Sequence, residues 1–155
     1  MGGGWLASSS RIDDRRLIIE TFSGRNLGLD LVRATEAAAL AAGQWVGRGD
    51  AAVADGDAAR ALRRVLNSMH IDGTIIVGEE GRHPDESELL VTGEKVGDGT
   101  MPAVDIVVDP VEGIRLLAEG LPETISVAGI APKGTMRSLA PAPYMEKLVV
   151  SREAA

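Results

Sequence analysis

Two acidic residues lie three positions apart where an apolar stretch of the chain meets a proline. Asp109 and Glu112 enclose Pro110 and Val111, and Gly113 follows directly. Carboxylate oxygens are the ligands that hard divalent cations such as magnesium and manganese prefer, and layered α and β folds build their sites in loops at strand ends. The spacing therefore indicates a cation site beside a turn that could receive a phosphate group.

Two other carboxylates, Asp55 and Glu79, could complete such a site from distant parts of the chain. Each acid also has an explanation that needs no metal. Asp55 could cap a helix, Glu79 could be an ordinary loop acid, and Glu112 could face the positive end of a helix dipole. Asp109 is harder to explain in this way, because it directly follows an apolar strand. Spacing alone leaves both a metal site and a set of unrelated acids open.

The composition argues against several classes of site and partner. The 155 residues carry a net charge of −7, whereas nucleic acid and anionic lipid favour a basic surface, so neither is an expected partner. The chain has no cysteine, which removes disulfides, thiolate zinc sites and cysteine nucleophiles and suits a cytoplasmic protein. No apolar run is long enough to span a membrane, and the glycine-rich start does not resemble a signal peptide. We therefore expect neither a membrane nor a nucleic-acid partner.

The first predicted elements are two helices. Apolar residues recur at helical spacing from an N-cap at Asn26 through Trp45, and the Gly-Arg-Gly sequence after them marks the end of this helix. A second helix is predicted to start near Asp55, with that aspartate as its N-cap. Residues 1–25, rich in glycine, serine and charge, are expected to form a flexible N-terminal extension.

Short apolar runs between turn residues predict the strands. These fall at residues 74–77, after a turn at Asp72 and Gly73, and at 89–91, 104–108, 124–130 and 144–150, with a short helix near 116–117 and a hairpin turn at 132–134. Along the chain, the two long helices come first and the strands come after them. Residues 26–155 are therefore predicted to form one domain with an α+β layered sandwich fold, in which the N-terminal helices pack on a mixed, largely antiparallel sheet.

Several blocks of sequence, in order along the chain, resemble the N-terminal half of the class II fructose-1,6-bisphosphatases. The blocks include Trp-Val-Gly-Arg-Gly-Asp at 45–50, Ile-Asp-Gly-Thr-Ile-Ile-Val-Gly-Glu at 71–79, Gly-Glu-Lys-Val-Gly at 93–97 and Asp-Pro-Val-Glu-Gly at 109–113, and others fall at 26–39, 54–56, 104–108, 120–122 and 144–147. This family, some of whose members also accept sedoheptulose-1,7-bisphosphate, lies within the lithium-sensitive, metal-dependent sugar and inositol phosphatase superfamily.

The resemblance implies an activity and a set of site residues. The family's metal ligands fall on Asp55, Glu79, Asp109 and Glu112, and would hold Mg²⁺ or Mn²⁺. In this family the cations polarise a phosphoryl group and lower the pKa of a bound water that attacks phosphorus. The family's substrate contacts fall on Glu112, Gly113, the Ile114 position and Tyr144, which occupy the matching places in the motifs. The implied reaction is hydrolysis of the 1-phosphate of a sugar bisphosphate, in carbohydrate metabolism such as gluconeogenesis.

The chain departs from the family pattern at important places. Ile114 stands where the family has a threonine that orients and deprotonates the attacking water, so no catalytic residue is expected to be intact there. Loss of a positioned acid or base typically slows a reaction roughly 10²- to 10⁴-fold. Ala51 stands where a lysine is usual, and family members continue well beyond the segment that matches this C-terminus. The half that would follow supplies further site residues in the family.

Two hypotheses follow from these departures. The first is a metal-dependent sugar bisphosphate phosphatase that is impaired or needs a complementing chain. The second is a noncatalytic relative that acts as a binding or assembly module. Under either hypothesis, apolar surface that a second half would cover favours a homo-oligomer or association with a complementing phosphatase chain.

Overall fold

A computed structural model describes residues 26–79, 89–137, 149 and 151–154. The predicted N-terminal extension, the acidic loop after Glu79, and Tyr144 with most of the predicted last strand lie outside these residues. None of the helices in the described part of the chain has both the length and the apolar character needed to cross a membrane.

Helix α1 spans Leu27–Gly43, and its start confirms the predicted N-cap. The Asn26 side chain accepts hydrogen bonds from the backbone N–H groups of Gly28 and Leu29, which have no partners inside the helix. Leu31 and three alanines at positions 34, 38 and 42 form its buried face, at the three- and four-residue spacing of one side of a helix. The helix ends before Trp45, which lies in the turn that follows.

Helix α2 spans Ala51–Asn67, and the prediction that Asp55 caps it is wrong. The N-cap is Asp50, whose side chain accepts a hydrogen bond from the Val53 backbone N–H. Asp50 directly follows Gly49, whose positive φ of 77° turns the chain into the helix, and the alanines after Asp50 favour helical backbone. Asp55 consequently lies inside the helix, within its buried face.

Four strands form one sheet in the described residues. They are β1 (Asp72–Val77), β2 (Lys95–Val96), β3 (Ala103–Glu112) and β4 (Ile125–Pro132), arranged in the order β2-β1-β3-β4. Strands β1 and β3 are parallel, and the two outer pairs are antiparallel. The short helix α3 (Ile114–Glu119) connects β3 to β4, and a 3₁₀ turn spans Arg152–Ala154. This arrangement confirms the predicted α+β fold, with helices packed on a mixed sheet.

Several predicted strand boundaries are wrong. Strand β1 begins at Asp72, where a turn was predicted, because Asp72 and Gly73 already pair with β3 and β2. Residues 89–91 are not a strand, since Leu90 has a φ of +57° and leaves extended backbone. Strand β3 runs past residue 108 to Glu112, and the short strand β2 was not predicted. The turn at 133–134 and the helix near 116–117 are confirmed.

The core lies between the two long helices and the sheet. Alanines form much of the contact between α1 and α2, and Ala34, Ala38, Ala58 and Ala59 are all fully buried at 0% exposure. Larger side chains fill the space between the helices and the sheet; they include Leu62, Leu66, Ile75 and Ile106. Burying one such side chain stabilises the fold by about 1.5–3 kcal/mol. The small residues let the helices approach closely, which fixes α2 and its buried Asp55 over the sheet.

Candidate active site

Glu79 and Asp109 lie at matching positions on two neighbouring parallel strands, Glu79 just beyond the end of β1 and Asp109 inside β3. Val77 of β1 pairs with Val107 of β3, and each acid lies two residues beyond its own member of that pair. Neighbouring strands are about 4.8 Å apart, so the two carboxylates start from adjacent points on one edge. Glu79 is only 3% exposed, and its Oε2 atom and Asp109 Oδ1 are both buried. The register therefore gives these two predicted ligands neighbouring backbone positions on adjacent strands.

Glu112 lies at the end of β3, after a break in the strand pairing. Asp109 pairs with Val127 and Glu112 pairs with Ile125, so two residues of β3 lie opposite one residue of β4. This is a β-bulge, a feature that redirects side chains and is common beside active sites. It also explains why a proline is tolerated at position 110 inside the strand, since proline has no N–H to donate to the ladder. Glu112 itself is exposed.

Gly113 turns the chain out of β3 and into α3. Its φ of +84° is in the left-handed region, which glycine adopts without strain. The Gly113 carbonyl accepts hydrogen bonds from the N–H groups of Leu116 and Leu117, at 2.9 and 3.2 Å. Ile114, the first residue of α3, is partly buried and packs against the hydrophobic core. The position where the resemblance implied a hydroxyl therefore holds an apolar, packed side chain.

Asp55 belongs to the buried face of α2, and it is only 6% exposed. Helix α2 packs against both β3 and α3, the two elements on either side of Glu112 and Gly113. A carboxylate in such surroundings is stable only when hydrogen bonds, a cation or a proton compensate its charge. The buried Asp55 carboxylate is therefore a suitable ligand for a hard cation.

The described acidic side chains have the oxygen atoms that a metal ion needs, but they do not form a complete coordination shell. Asp55, Glu79, Asp109 and Glu112 all offer the oxygen donors that Mg²⁺ and Mn²⁺ prefer. Among residues 26–79 and 89–137, however, no group of three or more Asp, Glu, His or Cys side chains is placed so that it could hold a metal ion. Glu79 and Asp109 follow paired residues of adjacent strands, and the shared four-carboxylate site stays a prediction.

The turn between α1 and α2 is docked on the end of α3. The N–H groups of Gly47 and Gly49 donate to the carbonyls of Leu117 and Ala118, both at 2.9 Å. A Cβ added to Gly120 would lie 3.2 Å from the Gly47 Cα, so the two backbones meet where side chains are absent. The sequence predicted that the Gly-Arg-Gly segment ends the first helix, but gave no sign of this contact with α3. The contact ties the start of α2 to the element that follows Glu112 and Gly113.

A second network joins the same turn to α2. The indole Nε1 of Trp45 donates to Asp57 Oδ2 at 2.8 Å, and Arg60 forms an ion pair with the other oxygen of Asp57 at 2.8 Å. The hydrogen bonds from Arg60 and Trp45 lower the pKa of Asp57 below its ordinary value. The Arg48 guanidinium lies 5.6 Å from the centre of the Trp45 ring, within cation–π distance. Together these contacts fix the turn against the helix that carries Asp55.

Two other residues of a type that can bind phosphate or metal make surface ion pairs instead. Arg115, close to the turn at Gly113, pairs with Glu119 at 3.0 Å along α3 and is largely exposed. His70 is exposed and pairs with Asp98. Neither contact involves one of the four predicted ligands.

Comparison with known proteins identifies the family. Residues 25–155 match the family described as bacterial fructose-1,6-bisphosphatase, glpX-encoded. The chain belongs to this family. It is 48% identical over 126 residues to fructose-1,6-bisphosphatase 1 class 2 of Escherichia coli strain K12, a match that covers 81% of this chain and 37% of that protein. The class 2 enzymes of Escherichia coli O6:H1 and Shigella flexneri match with the same identity and coverage.

The chain thus spans little more than a third of the length of these class II relatives. The matched region includes the strand ends that carry Glu79 and Asp109, and the bulged end of β3 with Glu112. Sequence reasoning found these acids from their spacing, but missed the residues that hold them in place, above all Leu90 and Glu94. The Gly-Glu-Lys-Val-Gly block draws attention to Glu94 but gives no hint of what this glutamate contacts, and Leu90 lies outside the block.

Proposed function

We propose that this chain is a metal-dependent sugar bisphosphate phosphatase of the class II fructose-1,6-bisphosphatase type, impaired or dependent on a complementing chain. The reaction is hydrolysis of the 1-phosphate. The observation that carries the proposal is the position of Glu79 and Asp109, each two residues after the paired Val77 and Val107 of adjacent parallel strands and each with a buried oxygen. Family membership supports the reaction class.

In this proposal Asp55, Glu79, Asp109 and Glu112 hold Mg²⁺ or Mn²⁺. When bound, these cations supply the polarisation of the phosphoryl group and the acidification of water. The chain's own residues do the positioning. The bulge before Glu112 would direct its carboxylate, and the left-handed turn at Gly113 is the segment beside which the phosphate would bind. Tyr144 would contact the sugar phosphate.

The partly buried Ile114 side chain cannot position a water or take its proton, because it has no polar atom. Turnover is therefore expected to be slower than in an enzyme with a hydroxyl there by roughly 10²- to 10⁴-fold. A complementing chain would supply further residues for the sugar phosphate. The proposal predicts slow phosphate release from the chain alone and a faster rate in the presence of that partner.

The test is release of phosphate from fructose-1,6-bisphosphate with and without Mn²⁺ or Mg²⁺. The release should require the metal and should be lost in Asp109→Asn. The matched control is Asp72→Asn, which removes an exposed aspartate whose carboxylate pairs with Lys95 at 2.8 Å, far along the sheet from the strand ends. Asp72→Asn should release phosphate at the unchanged rate. The proposal would be rejected if the chain alone released no phosphate under any metal condition and also failed to raise the rate of a class II enzyme above that enzyme's own rate.

A second candidate function is a noncatalytic binding or assembly module. The apolar packing of Ile114 favours it, and so do Ile125 and Val127 of β4, which are 59% and 41% exposed. Among the described residues β4 pairs with β3 alone, and exposed apolar side chains on such a strand are typical of surfaces that contact another chain. This candidate predicts association with a second copy or with a class II enzyme, but no metal-dependent release of phosphate.

A further inference from the structure

Glu94 joins two elements that carry predicted metal ligands. Its Oε1 atom accepts a hydrogen bond from Arg63 Nε at 2.5 Å, and its Oε2 atom accepts one from the Leu90 backbone N–H at 2.6 Å. The Glu94 side chain is only 12% exposed. Both oxygens of one largely buried carboxylate are therefore committed to different segments of the chain.

Leu90, in turn, holds the backbone of Glu79. Its carbonyl accepts a hydrogen bond from the Glu79 N–H at 3.0 Å. The same oxygen lies so close to Gly78 that a Cβ added there would be 1.8 Å away. Leu90 is fully buried and has a φ of +57°, a conformation that leucine adopts only when its surroundings impose it. The hydrogen bond from Leu90 to Glu94 is one of the contacts that impose it.

The main chain around Glu94 is also fixed to the sheet. The Glu94 carbonyl accepts from the Ile75 N–H at 2.9 Å, and the Gly93 N–H donates to the Ile75 carbonyl at 2.8 Å. Glu94 is thus anchored on β1, the strand that leads to Glu79. Its partner Arg63 lies on α2, eight residues after Asp55 and so on the same helix about two turns further on.

We propose that Glu94 is a positioning residue that sets the distance between Glu79 and the helix carrying Asp55, and thereby the affinity for the divalent cation. The inference rests on the proposed function, since it concerns the same site. Residues that orient metal ligands without touching the metal typically change metal affinity 10- to 100-fold when they are replaced. A merely structural role would lower thermal stability and leave the affinity of the folded protein unchanged.

The test compares Glu94→Gln with Glu119→Gln. The Glu94→Gln amide keeps one acceptor oxygen but cannot accept from both Arg63 and Leu90. Glu119 is a matched control, because it also pairs with an arginine, but within one helix and on the surface. Binding of Mn²⁺ alone is measured from the paramagnetic resonance signal of the free ion. Hydrogen exchange at the Glu79 amide gives a readout that needs no metal.

Glu94→Gln should weaken Mn²⁺ binding about 10- to 100-fold and speed up exchange at the Glu79 amide, whereas Glu119→Gln should change affinity less than twofold. Unchanged Mn²⁺ affinity or unchanged Glu79 exchange in folded Glu94→Gln overturns the inference and leaves the proposed function standing. If the unaltered protein binds no Mn²⁺, the proposed function fails and this inference fails with it.

Arg63→Met provides a second variant in case Glu94→Gln does not fold. It removes the link to α2 and keeps the hydrogen bond from Leu90 to Glu94. It should weaken Mn²⁺ binding in the same direction with less effect on Glu79 exchange. If Arg63→Met bound Mn²⁺ with wild-type affinity, the link to α2 would have no effect on cation binding, and the inference would be overturned.

Discussion

At the scale of single residues, Ile114 is the position where folding and chemistry conflict. Its side chain is partly buried against the core, in the first position of α3. A threonine has the same branched shape near the backbone but carries a hydroxyl, which costs free energy if it is buried without a hydrogen-bond partner. The isoleucine therefore stabilises the turn, but it lacks a hydroxyl that could take part in proton transfer.

Ile114→Thr should lower stability and raise turnover. We expect a loss of about 1–3 kcal/mol in the free energy of unfolding, from the lost packing and the buried hydroxyl. The Mn²⁺-dependent rate of phosphate release should rise, by up to roughly 10²- to 10⁴-fold if the hydroxyl reaches the water. Ile114→Val is the control, since it shortens the side chain without adding a hydroxyl. Equal rates of phosphate release for Ile114→Thr and Ile114→Val would mean that the protein lacks other catalytic groups besides the hydroxyl.

Gly78 is the residue with the least room in the neighbourhood of Glu79. A Cβ at this position would lie 1.8 Å from the Leu90 carbonyl oxygen, and backbone cannot move aside as a side chain can. Gly78→Ala should therefore destabilise the protein by about 2–3 kcal/mol or more, measured by urea unfolding. Gly43→Ala is a matched control, because its Cβ would meet nothing within 4 Å at the end of α1. It should be neutral or slightly stabilising.

At the scale of elements, the loop before β3 is tied to the residues that follow α2. Asp98 accepts hydrogen bonds from the Thr100 hydroxyl at 2.6 Å and the Thr100 N–H at 3.0 Å, and it pairs with His70. These contacts favour the charged carboxylate and hold the pKa of Asp98 at about 2, below the usual 3.8, with Thr100 as the largest cause. The loop is therefore held by a contact that depends on ionised Asp98.

Stability should accordingly fall in acid. A group whose pKa is lower in the folded than in the unfolded chain stabilises the fold above its unfolded pKa, and this contribution is lost as pH falls through the folded pKa. For Asp98 the window lies between pH 3.8 and about 2. Melting temperatures measured across this window should fall less steeply in Asp98→Asn than in the unaltered protein. Thr100→Val, which removes the hydroxyl donor, should give an intermediate slope. Equal slopes in all three would show that Asp98 does not contribute.

At the scale of the whole molecule, the sequence predicts the architecture better than the boundaries. The helical spacing and the cap at Asn26 predict α1 correctly, because both signals are local. Asp50 and Asp55 are both acceptable N-caps by type, and the left-handed turn at Gly49 with the alanines after Asp50 starts the helix at the earlier one. Strand β3 continues through Pro110 because a bulge in the pairing with β4 accommodates it, and this pairing is not visible in the local sequence.

In the candidate site, too, the local sequence predicts some features, whereas contacts between distant residues set the others. The four acids could be proposed from spacing and resemblance, since their residue types are what a hard cation requires. The contacts that position them are between residues distant in sequence, such as Arg63 with Glu94 and Gly47 with Gly120. No local pattern reports such contacts. The left-handed backbone of Leu90 could not be predicted either, because leucine rarely adopts it.

Association through β4 is a further prediction at this scale. Ile125 and Val127 are exposed on the same face of the strand, since they are two residues apart. If the chain binds a second copy or a class II enzyme there, the Val127→Lys variant should reduce the mass measured by light scattering while its melting temperature stays nearly unchanged. Met101→Lys, which changes a side chain that is 79% exposed in a loop, is the control. A mass that is the same for all variants would place any association elsewhere.

The hydrogen bond from the Trp45 indole to Asp57, with Arg48 beside the ring, also makes this side chain an optical reporter. The chain has two tryptophans, so Trp5→Phe would leave Trp45 as the single emitter. Its fluorescence should then respond to any separation of the glycine turn from α2. Cation titrations could in this way be followed by emission from the protein itself, without a label.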